Sequence, residues 1–259
     1  MRIGKQNNAV SSICTSDAER IVVRGEDLCE DLIGKIDFTS YFWLLVTGAR
    51  PTGEQLFFTN AMLVALAEHG LVPSVVAARM TFAAAPEAFQ GAVAAGLLGC
   101  GSVVLGSAQA AGEFLAGVLD RAGEAGDLDS AAVSSIEELR ARRKAVPGFG
   151  HPQHSDGDPR ANLLLRLAGE RGAAGRHIAA LEACRRALPQ AIGRDLPINI
   201  NGAIPAILLD IGFPLQSLKA ISILARTAGL IGHLTEEAQT PIGFILSGKA
   251  AESIAYKPD

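Results

Sequence analysis

The sequence contains little charge and few aromatic residues. Charged residues make up 19% of the chain and aromatic residues 5%, against 49% hydrophobic residues. This balance indicates a globular protein and excludes a disordered one. The net charge is −4, and the nearest thing to a basic patch is the short run 140–144 before Pro147. We interpret that run as the solvated end of a helix and expect no nucleic-acid partner.

Closely spaced cysteines and an apolar N-terminal segment are also missing. The four cysteines lie far apart and form no CxxC pair: Cys14, Cys29, Cys100 and Cys184. Such spacing is typical of free thiols in a reducing compartment, so we predict a cytoplasmic protein without a signal peptide. Residues 88–112 carry no charge and are long enough to span a bilayer, but they contain six glycines, with a break at Gly99–Gly101. We therefore predict two buried helices there and no membrane span.

Apolar residues recur mainly with the helical period. The predicted helices are 37–47, 51–70, 73–84, 90–98, 107–119, 134–144, 159–169, 175–188, 203–212 and 217–234. Strand candidates are confined to Ile21–Arg24 and Ile198–Ile200. The fold class is therefore mainly α. The sequence has no P-loop, HExxH or GxSxG motif, and the glycines near Gly99 lack the spacing of a dinucleotide fingerprint.

Residues 146–160 are the most chemically informative stretch. Gly148 and Gly150 have no Cβ, so their amides can approach a ligand closely. His151 can move protons near neutral pH. Arg160 offers a planar fork that matches a carboxylate. A loop of this composition could bind an anionic substrate and perform acid–base chemistry on it.

The same stretch carries a family resemblance. Gly148-Phe149-Gly150-His151, followed after six residues by Asp158-Pro159-Arg160, resembles the loop of the citrate synthase family. Four further segments match in family order: 23–28, 44–52, 67–74 and 225–233. The resemblance extends from about Ile21 to Phe244, and the chain is most similar to the short, citryl-CoA lyase-type members.

The resemblance implies a mainly α, citrate synthase-like fold with a large and a small helical domain and the active-site cleft between them. The large domain would comprise 1–118 and 214–259, and the small domain 119–213. It also implies a homodimer that acts on a CoA thioester and an oxo acid, such as acetyl-CoA and oxaloacetate, or on their condensation product. Coenzyme A would be part of the substrate, with no permanently bound cofactor and no metal.

Individual site residues follow from the same resemblance. His69 would bind the oxo acid, and Arg160 one of its carboxylates. His151 would hydrogen-bond the oxygen at the carbon where the new bond forms. The CoA-binding backbone would be that of Val146, Pro147, Gly148, Phe149 and Gly150.

Three departures from the family pattern concern the condensation chemistry. Val104 stands where the family has a histidine that stabilises the enolate, and Asn201 where it has the catalytic aspartate. Thr240 replaces a second carboxylate-binding arginine. Asparagine cannot take a proton near neutral pH, and valine cannot donate a hydrogen bond. We therefore predict cleavage of a citryl-CoA-type ester, with His151 as base and Asn201 holding the thioester or enol oxygen.

Several alternatives stay open. The chain could be a condensing enzyme, a non-catalytic CoA-thioester-binding homologue, or a subunit that needs a partner chain. A carboxylate in the cleft would discriminate between them, and the candidates are Glu68, Asp156 and Asp158, of which Asp158 is expected to cap a helix. A metal held by His151, His154 and these aspartates is the less favoured interpretation of the loop. The oxo acid is open between oxaloacetate and pyruvate.

The late helix contains two features of undecided role. His233 and Glu236 lie three residues apart on it, which suits either packing or function. Arg226 stands in an apolar stretch, where it would pair with a carboxylate or lie near CoA.

Overall fold

The computed structural model describes residues 9–101, 105–124, 126–150 and 157–258, and it is mainly helical, as predicted. Its α-helices are α1 (Phe38–Thr47), α2 (Gly53–Ala67), α3 (Pro73–Ala84), α4 (Phe89–Leu98), α5 (Ser107–Ala122), α6 (Leu128–Ala141), α7 (Pro159–Glu170), α8 (Arg176–Ile192), α9 (Ile200–Asp210), α10 (Leu218–Gln239) and α11 (Gly243–Ser253). Three short strands, β1 (Cys14–Ser16), β2 (Ile21–Val23) and β3 (Glu26–Asp27), form an antiparallel meander in chain order. A π-helical turn, Leu28–Leu32, follows β3.

The chain divides into two compact units, Met1–Asn60 and Ala61–Asp259, with the boundary inside α2. In the first unit Val23, Leu32 and Leu44 form a small apolar core between the meander and α1. Asp37 caps α1 by accepting a hydrogen bond from the Ser40 amide at 2.9 Å. The strand prediction at Ile21–Arg24 is confirmed. The large and small domains proposed from the resemblance stay a prediction.

The second unit contains two groups of buried apolar side chains. One lies among α5, α6, α8 and α9 and includes Leu115, Ile136 and Leu181. The other lies among α3, α4 and α10 and includes Phe82 and Leu230. These two groups fix the helices that carry the candidate site.

Two predicted helix ends that lie close to prolines are wrong. Helix α8 does not stop before Pro189 but continues to Ile192, where Gly193 adopts the left-handed conformation (φ 71°). A proline costs the helix one hydrogen bond. Burial of Leu188 and Ala191 on either side of Pro189 offsets that cost.

Helix α9 begins at Ile200 instead of residue 203, and Pro205 lies inside it. The strand candidate at Ile198–Ile200 is reduced to a single bridge between Ile198 and Phe149. Asn199 is the cap that moves the start, because its side chain accepts from the Asn201 amide at 2.9 Å. Pro205 cannot donate to the Asn201 carbonyl, so that oxygen lacks its usual intrahelical donor.

Other elements differ in length. Helix α6 begins at Leu128, six residues before the predicted start, because Asp127 caps it. Helix α10 runs to Gln239, and α11 follows where no helix is predicted. The uncharged stretch 88–112 forms α4 and the beginning of α5, as expected. In the described ranges, no helix combines the length and the apolar character needed to cross a bilayer.

Candidate active site

The predicted CoA-binding segment is held against the entrance to α9. The Asn199 amide donates to the Gly148 carbonyl at 3.0 Å, and the Gly150 amide donates to the Pro197 carbonyl at 2.8 Å. The Asn199 side-chain amide also donates to the Gly150 carbonyl at 2.6 Å. Val146 and Phe149 are buried beneath this pairing. The backbone of residues 148–150 is therefore fixed by hydrogen bonds to residues 197–199.

Two glycines allow this segment to reach the first turn of α9. Gly148 has φ 89°, and a Cβ on it would lie 2.8 Å from the Gly202 Cα. A Cβ on Gly202 would lie 2.5 Å from the Gly148 carbonyl oxygen. Because neither backbone can accommodate a side chain, glycine is required at both positions. The contact brings the predicted CoA segment next to Asn201.

The backbone amides at the start of α9 already have acceptors. The Ile200 amide donates to Asp158 Oδ2 at 3.1 Å, and the Asn201 amide to the Asn199 side chain. The next two amides, of Gly202 and Ala203, donate to the Asn199 carbonyl. A substrate oxygen at this helix end would therefore need a side-chain donor. Asn201 lies there, is half-buried, and has a side-chain amide that can donate.

Asp158 anchors Arg160 at the start of α7. Asp158 is fully buried and caps the helix, as predicted, by accepting from the Arg160 amide at 3.1 Å. Its two oxygens also accept from Arg160 Nε at 3.0 Å and Nη2 at 2.9 Å. Burial raises the pKa of Asp158, but the Arg160 guanidinium outweighs burial and holds that pKa below its ordinary value. Asp158 is thus an orienting carboxylate and not an available base.

Arg226, on α10, is the strongest addition to the predicted site. It is 4% exposed, and neither its Nε nor its Nη1 has a hydrogen-bond partner in the part of the chain that the structure describes. Burial lowers the pKa of Arg226, and the positive charge of Arg160 adds to this, while the negative charge of Glu68 opposes it. A buried cation that lacks hydrogen bonds is costly unless an anion joins it. The sequence shows only that Arg226 stands in an apolar helix and does not indicate which partner it would bind.

Glu68 lies at the turn that precedes His69. Its Oε1 accepts from the His69 amide at 2.9 Å and the Gly70 amide at 2.5 Å. Its Oε2 is 2.9 Å from His233 Nε2, although the alignment is poor for a hydrogen bond. Partial burial raises the pKa of Glu68, but His233 and the two amides lower it further than burial raises it. The structure thus places an anionic carboxylate just after α2, beside His233 of α10, with the exposed His69 immediately after it.

His233 and Glu236 belong to a buried ion network. Arg79 Nη1 lies 3.2 Å from His233 Nδ1 and 2.6 Å from Glu236 Oε2. Arg79 Nε donates to Glu237 at 2.6 Å. Because arginine can only donate, His233 Nδ1 must accept, which assigns the imidazole proton to Nε2 on the side of Glu68. This geometry favours the packing interpretation of His233 and Glu236.

A basic cavity of about 300 Å³ adjoins the predicted CoA segment. Four cationic residues line it: Arg140, Arg143, Lys144 and Arg194. Val146, Phe149 and Leu196 supply its apolar wall. The basic run interpreted as a plain solvated helix end therefore faces a cavity, although its side chains remain accessible.

Some predicted positions lie outside the described residues: His151, His154, Asp156 and Val104. The catalytic role assigned to His151 stays a prediction. In the described ranges, no group of three or more histidine, cysteine, aspartate or glutamate side chains is placed to hold a metal ion.

Comparison with known families gives one match. Residues 57–243 match the family described as citrate synthase, C-terminal domain. A Mycobacterium tuberculosis protein named "Putative citrate synthase 2" is 33% identical over 192 residues, which cover 72% of this chain and 49% of that protein. The chain therefore spans about half the length of this curated relative.

One of the similar solved structures matches this chain over its whole length. The citryl-CoA lyase of Hydrogenobacter thermophilus superposes with a TM-score of 0.84 at 29% identity, covering 100% of this chain and 96% of that one. The ATP citrate lyase of Methanothrix soehngenii, solved with citrate and coenzyme A, gives 0.78 at 22% identity, over 99% of this chain and 43% of that one. Citrate synthase of Thermoplasma acidophilum gives a TM-score of 0.64 at 19% identity, covering 79% of this chain and 54% of that one. The last two show a shared fold.

Proposed function

Because the chain belongs to the citrate synthase family, we propose that it is a carbon–carbon lyase. Its substrate would be a 3-hydroxy-3-carboxyacyl-CoA of the citryl-CoA type, cleaved to acetyl-CoA and an oxo acid. The similarity to citryl-CoA lyase supports this direction of reaction. The proposal includes a homodimer in the cytoplasm, as the resemblance and the unpaired cysteines suggest.

The observation that carries the proposal is the pair of arginines. Arg226 is buried with unpartnered donors, and the like charge of Arg160 acts on it. Two neighbouring cations destabilise each other unless an anion lies between or beside them. Asp158 occupies the Nε–Nη2 edge of Arg160, which orients the guanidinium and leaves its Nη1 end unused by that contact. An oxo acid bearing carboxylates fits this arrangement.

The CoA portion would occupy the segment Val146–Gly150 and the basic cavity beside it. Coenzyme A carries several phosphate charges, and Arg143, Lys144 and Arg194 supply positive charge along the cavity. The apolar wall formed by Val146 and Phe149 suits an adenine or pantetheine group. Because hydrogen bonds to residues 197–199 fix the segment, the site would need little rearrangement to bind.

Cleavage would begin at the tertiary hydroxyl of the substrate. His151 would take the hydroxyl proton, and the oxygen lone pair would form the carbonyl of the oxo acid as the carbon–carbon bond breaks. The electrons of that bond would move onto the acetyl-CoA thioester as an enolate, which then takes a proton from water. The Asn201 amide would donate to the developing enolate oxygen, a role that the occupied backbone amides of α9 cannot fill.

A non-catalytic CoA-thioester-binding protein is the second candidate. Asn201 favours it, because the position that carries an aspartate in the family holds no base here. Glu68 is a weak replacement for that aspartate as a base, since two backbone amides and the neighbouring His233 lower its pKa. A condensing enzyme is disfavoured for the same reason.

The test is a coupled assay of the purified protein with citryl-CoA and citramalyl-CoA, following acetyl-CoA and the oxo acid. Arg160→Met should lower kcat/KM for citryl-CoA about 100-fold and also destabilise the fold, because it removes a charge-assisted substrate contact and leaves the buried Asp158 without its cation. Arg166→Met is the matched control, since Arg166 lies on the same helix and pairs with Glu170 at the surface. Absence of cleavage by the wild type, with CoA esters still bound, would establish the binding protein instead.

A further inference from the structure

The first half of α10 contains a second buried group without a partner. Ser222 is 1% exposed, and its Oγ has no hydrogen-bond partner among the residues that the structure describes. It precedes Arg226 by four residues, so the two side chains lie on the same face of the helix. Both therefore present unused donors on one buried stripe of α10.

Other hydroxyls of α10 show what a structural hydroxyl does in this helix. Thr227 Oγ1 donates to the Ile223 carbonyl at 2.8 Å, and Thr235 Oγ1 to the Ile231 carbonyl at 2.9 Å. Each uses the carbonyl four residues earlier, which is the usual solution for a helical hydroxyl. Ser222 does not make this bond in the structure. A buried polar group left unsatisfied destabilises the protein, so its orientation indicates a ligand.

We propose that Ser222 donates a hydrogen bond to the same substrate carboxylate that Arg226 binds, and that this pair selects a dicarboxylic oxo-acid portion over a monocarboxylic one. The inference rests on the proposed function. It concerns the choice of substrate that the sequence leaves open, which is citryl-CoA or citramalyl-CoA. Citryl-CoA carries two carboxylates, which match two cations and the hydroxyl, whereas citramalyl-CoA carries one carboxylate and a methyl group.

Electrostatics favour the dicarboxylic substrate. With one carboxylate bound at Arg160, a substrate with a methyl group would leave Arg226 and Ser222 buried without partners. Sites built to hydrogen-bond a substrate group discriminate strongly against an analogue that lacks it, because the polar atoms of the site stay unpaired. Glu68 supplies part of the balancing charge, but it makes no hydrogen bond to Arg226 in the described residues.

The experiment compares Ser222→Ala with the wild type. Kinetics with citryl-CoA and citramalyl-CoA give the selectivity, and calorimetry with oxaloacetate and pyruvate measures binding without turnover. We expect the ratio of kcat/KM for citryl-CoA over citramalyl-CoA to fall about tenfold, the loss of one hydrogen bond to a charged group. Oxaloacetate affinity should fall by a similar factor, and pyruvate affinity should not change. Thr227→Val is the matched control, since its hydroxyl is already satisfied within the same helix.

Stability without substrate separates binding from structure. Removing an unsatisfied buried hydroxyl should leave the free energy of unfolding unchanged or raise it, while substrate selectivity falls. Equal selectivity and equal oxaloacetate affinity in Ser222→Ala and the wild type would overturn the inference, and lyase activity of the wild type would leave the proposed function standing. Oxaloacetate binding that depends on Ser222, without cleavage of either ester, would support the inference and refute the lyase. Failure of the wild type to bind oxaloacetate and both esters would reject both.

Discussion

Each half of α10 contributes to the surroundings of one buried arginine, and the two arginines differ in their hydrogen-bond partners. Near the end of the helix, Arg79 of α3 is 3% exposed and bonds to Glu236, Glu237 and His233, with the Thr240 carbonyl at 3.3 Å. Near its beginning, Arg226 is equally buried, but Nε and Nη1 have no partner within the described ranges.

We propose that this difference separates a structural cation, Arg79, from a substrate-binding one, Arg226. Glu237 links Arg79 to the start of α11, because its carboxylate also accepts hydrogen bonds from the amides of Ile242 and Gly243. All three guanidinium nitrogens of Arg79 thus have acceptors without a ligand. The Arg226 end is complete only when an anion arrives, which is why we assign substrate binding to it.

The largest expected effect follows from breaking the complete network. Arg79→Met should lower the free energy of unfolding by about 3–5 kcal/mol, because it leaves Glu237 buried without a counter-charge. Chemical denaturation at neutral pH measures the change. Arg121→Met removes an exposed pair with Glu138 and should cost less than about 1 kcal/mol. Equal costs for the two variants would show that burial does not distinguish these arginines.

The opposite pattern is expected at the other end of the helix. Arg226→Met should reduce kcat/KM for citryl-CoA by at least about 100-fold, because a buried charge-assisted contact to substrate is lost. Its free energy of unfolding without substrate should stay unchanged or rise, since the variant buries no unpaired cation. The coupled assay measures the change in kcat/KM, and chemical denaturation of the same preparations measures the change in the free energy of unfolding. A destabilised but active variant would assign Arg226 to structure.

Local capping chemistry explains which parts of the fold could be predicted. Asp158 precedes α7 and caps it as expected, because side-chain capping depends on neighbouring residues alone. Pro189 misled the prediction of α8, because the packing that tolerates an internal proline is a tertiary effect. The start of α9 was misplaced for a different reason: its cap, Asn199, lies in a segment whose spacing favoured a strand.

The site was predictable only in part. The motif located Arg160 and the segment 146–150, and the structure brings both to the entrance of α9. The role of Arg226 could not be derived from its sequence position, since an arginine in an apolar helix can equally form an internal ion pair. Its unpartnered donors are visible only once the neighbouring side chains are placed. The roles of His69, His151 and Asn201 stay predictions.

A smaller effect is expected where the loop meets α9. Gly202→Ala would place a Cβ 2.5 Å from the Gly148 carbonyl oxygen, so the segment 146–150 must shift. We expect a loss of about 1–3 kcal/mol in the free energy of unfolding, together with weaker CoA binding measured by calorimetry. Gly117→Ala, in open space on α5, should instead stabilise by about 0.5–1 kcal/mol. Stabilisation by both substitutions would mean that the close contact is not required.

The smallest effect concerns pH and again contrasts the two ends of α10. Burial raises the pKa of Glu237, but Arg79 and the α11 amides outweigh it and hold that pKa below the ordinary 4.5. The stability that Glu237 contributes is therefore present above pH 4.5 and is lost as the pH falls through its lower folded-state pKa. The gap in unfolding free energy between the wild type and Glu237→Gln should narrow as the pH is lowered from 7 to 3 in denaturation series. Arg226→Met should change the acid dependence less, because Glu68 acts on that side chain through its charge and not through a hydrogen bond to Nε or Nη1. A constant gap for Glu237→Gln would show that its carboxylate is not held in the anionic form by Arg79.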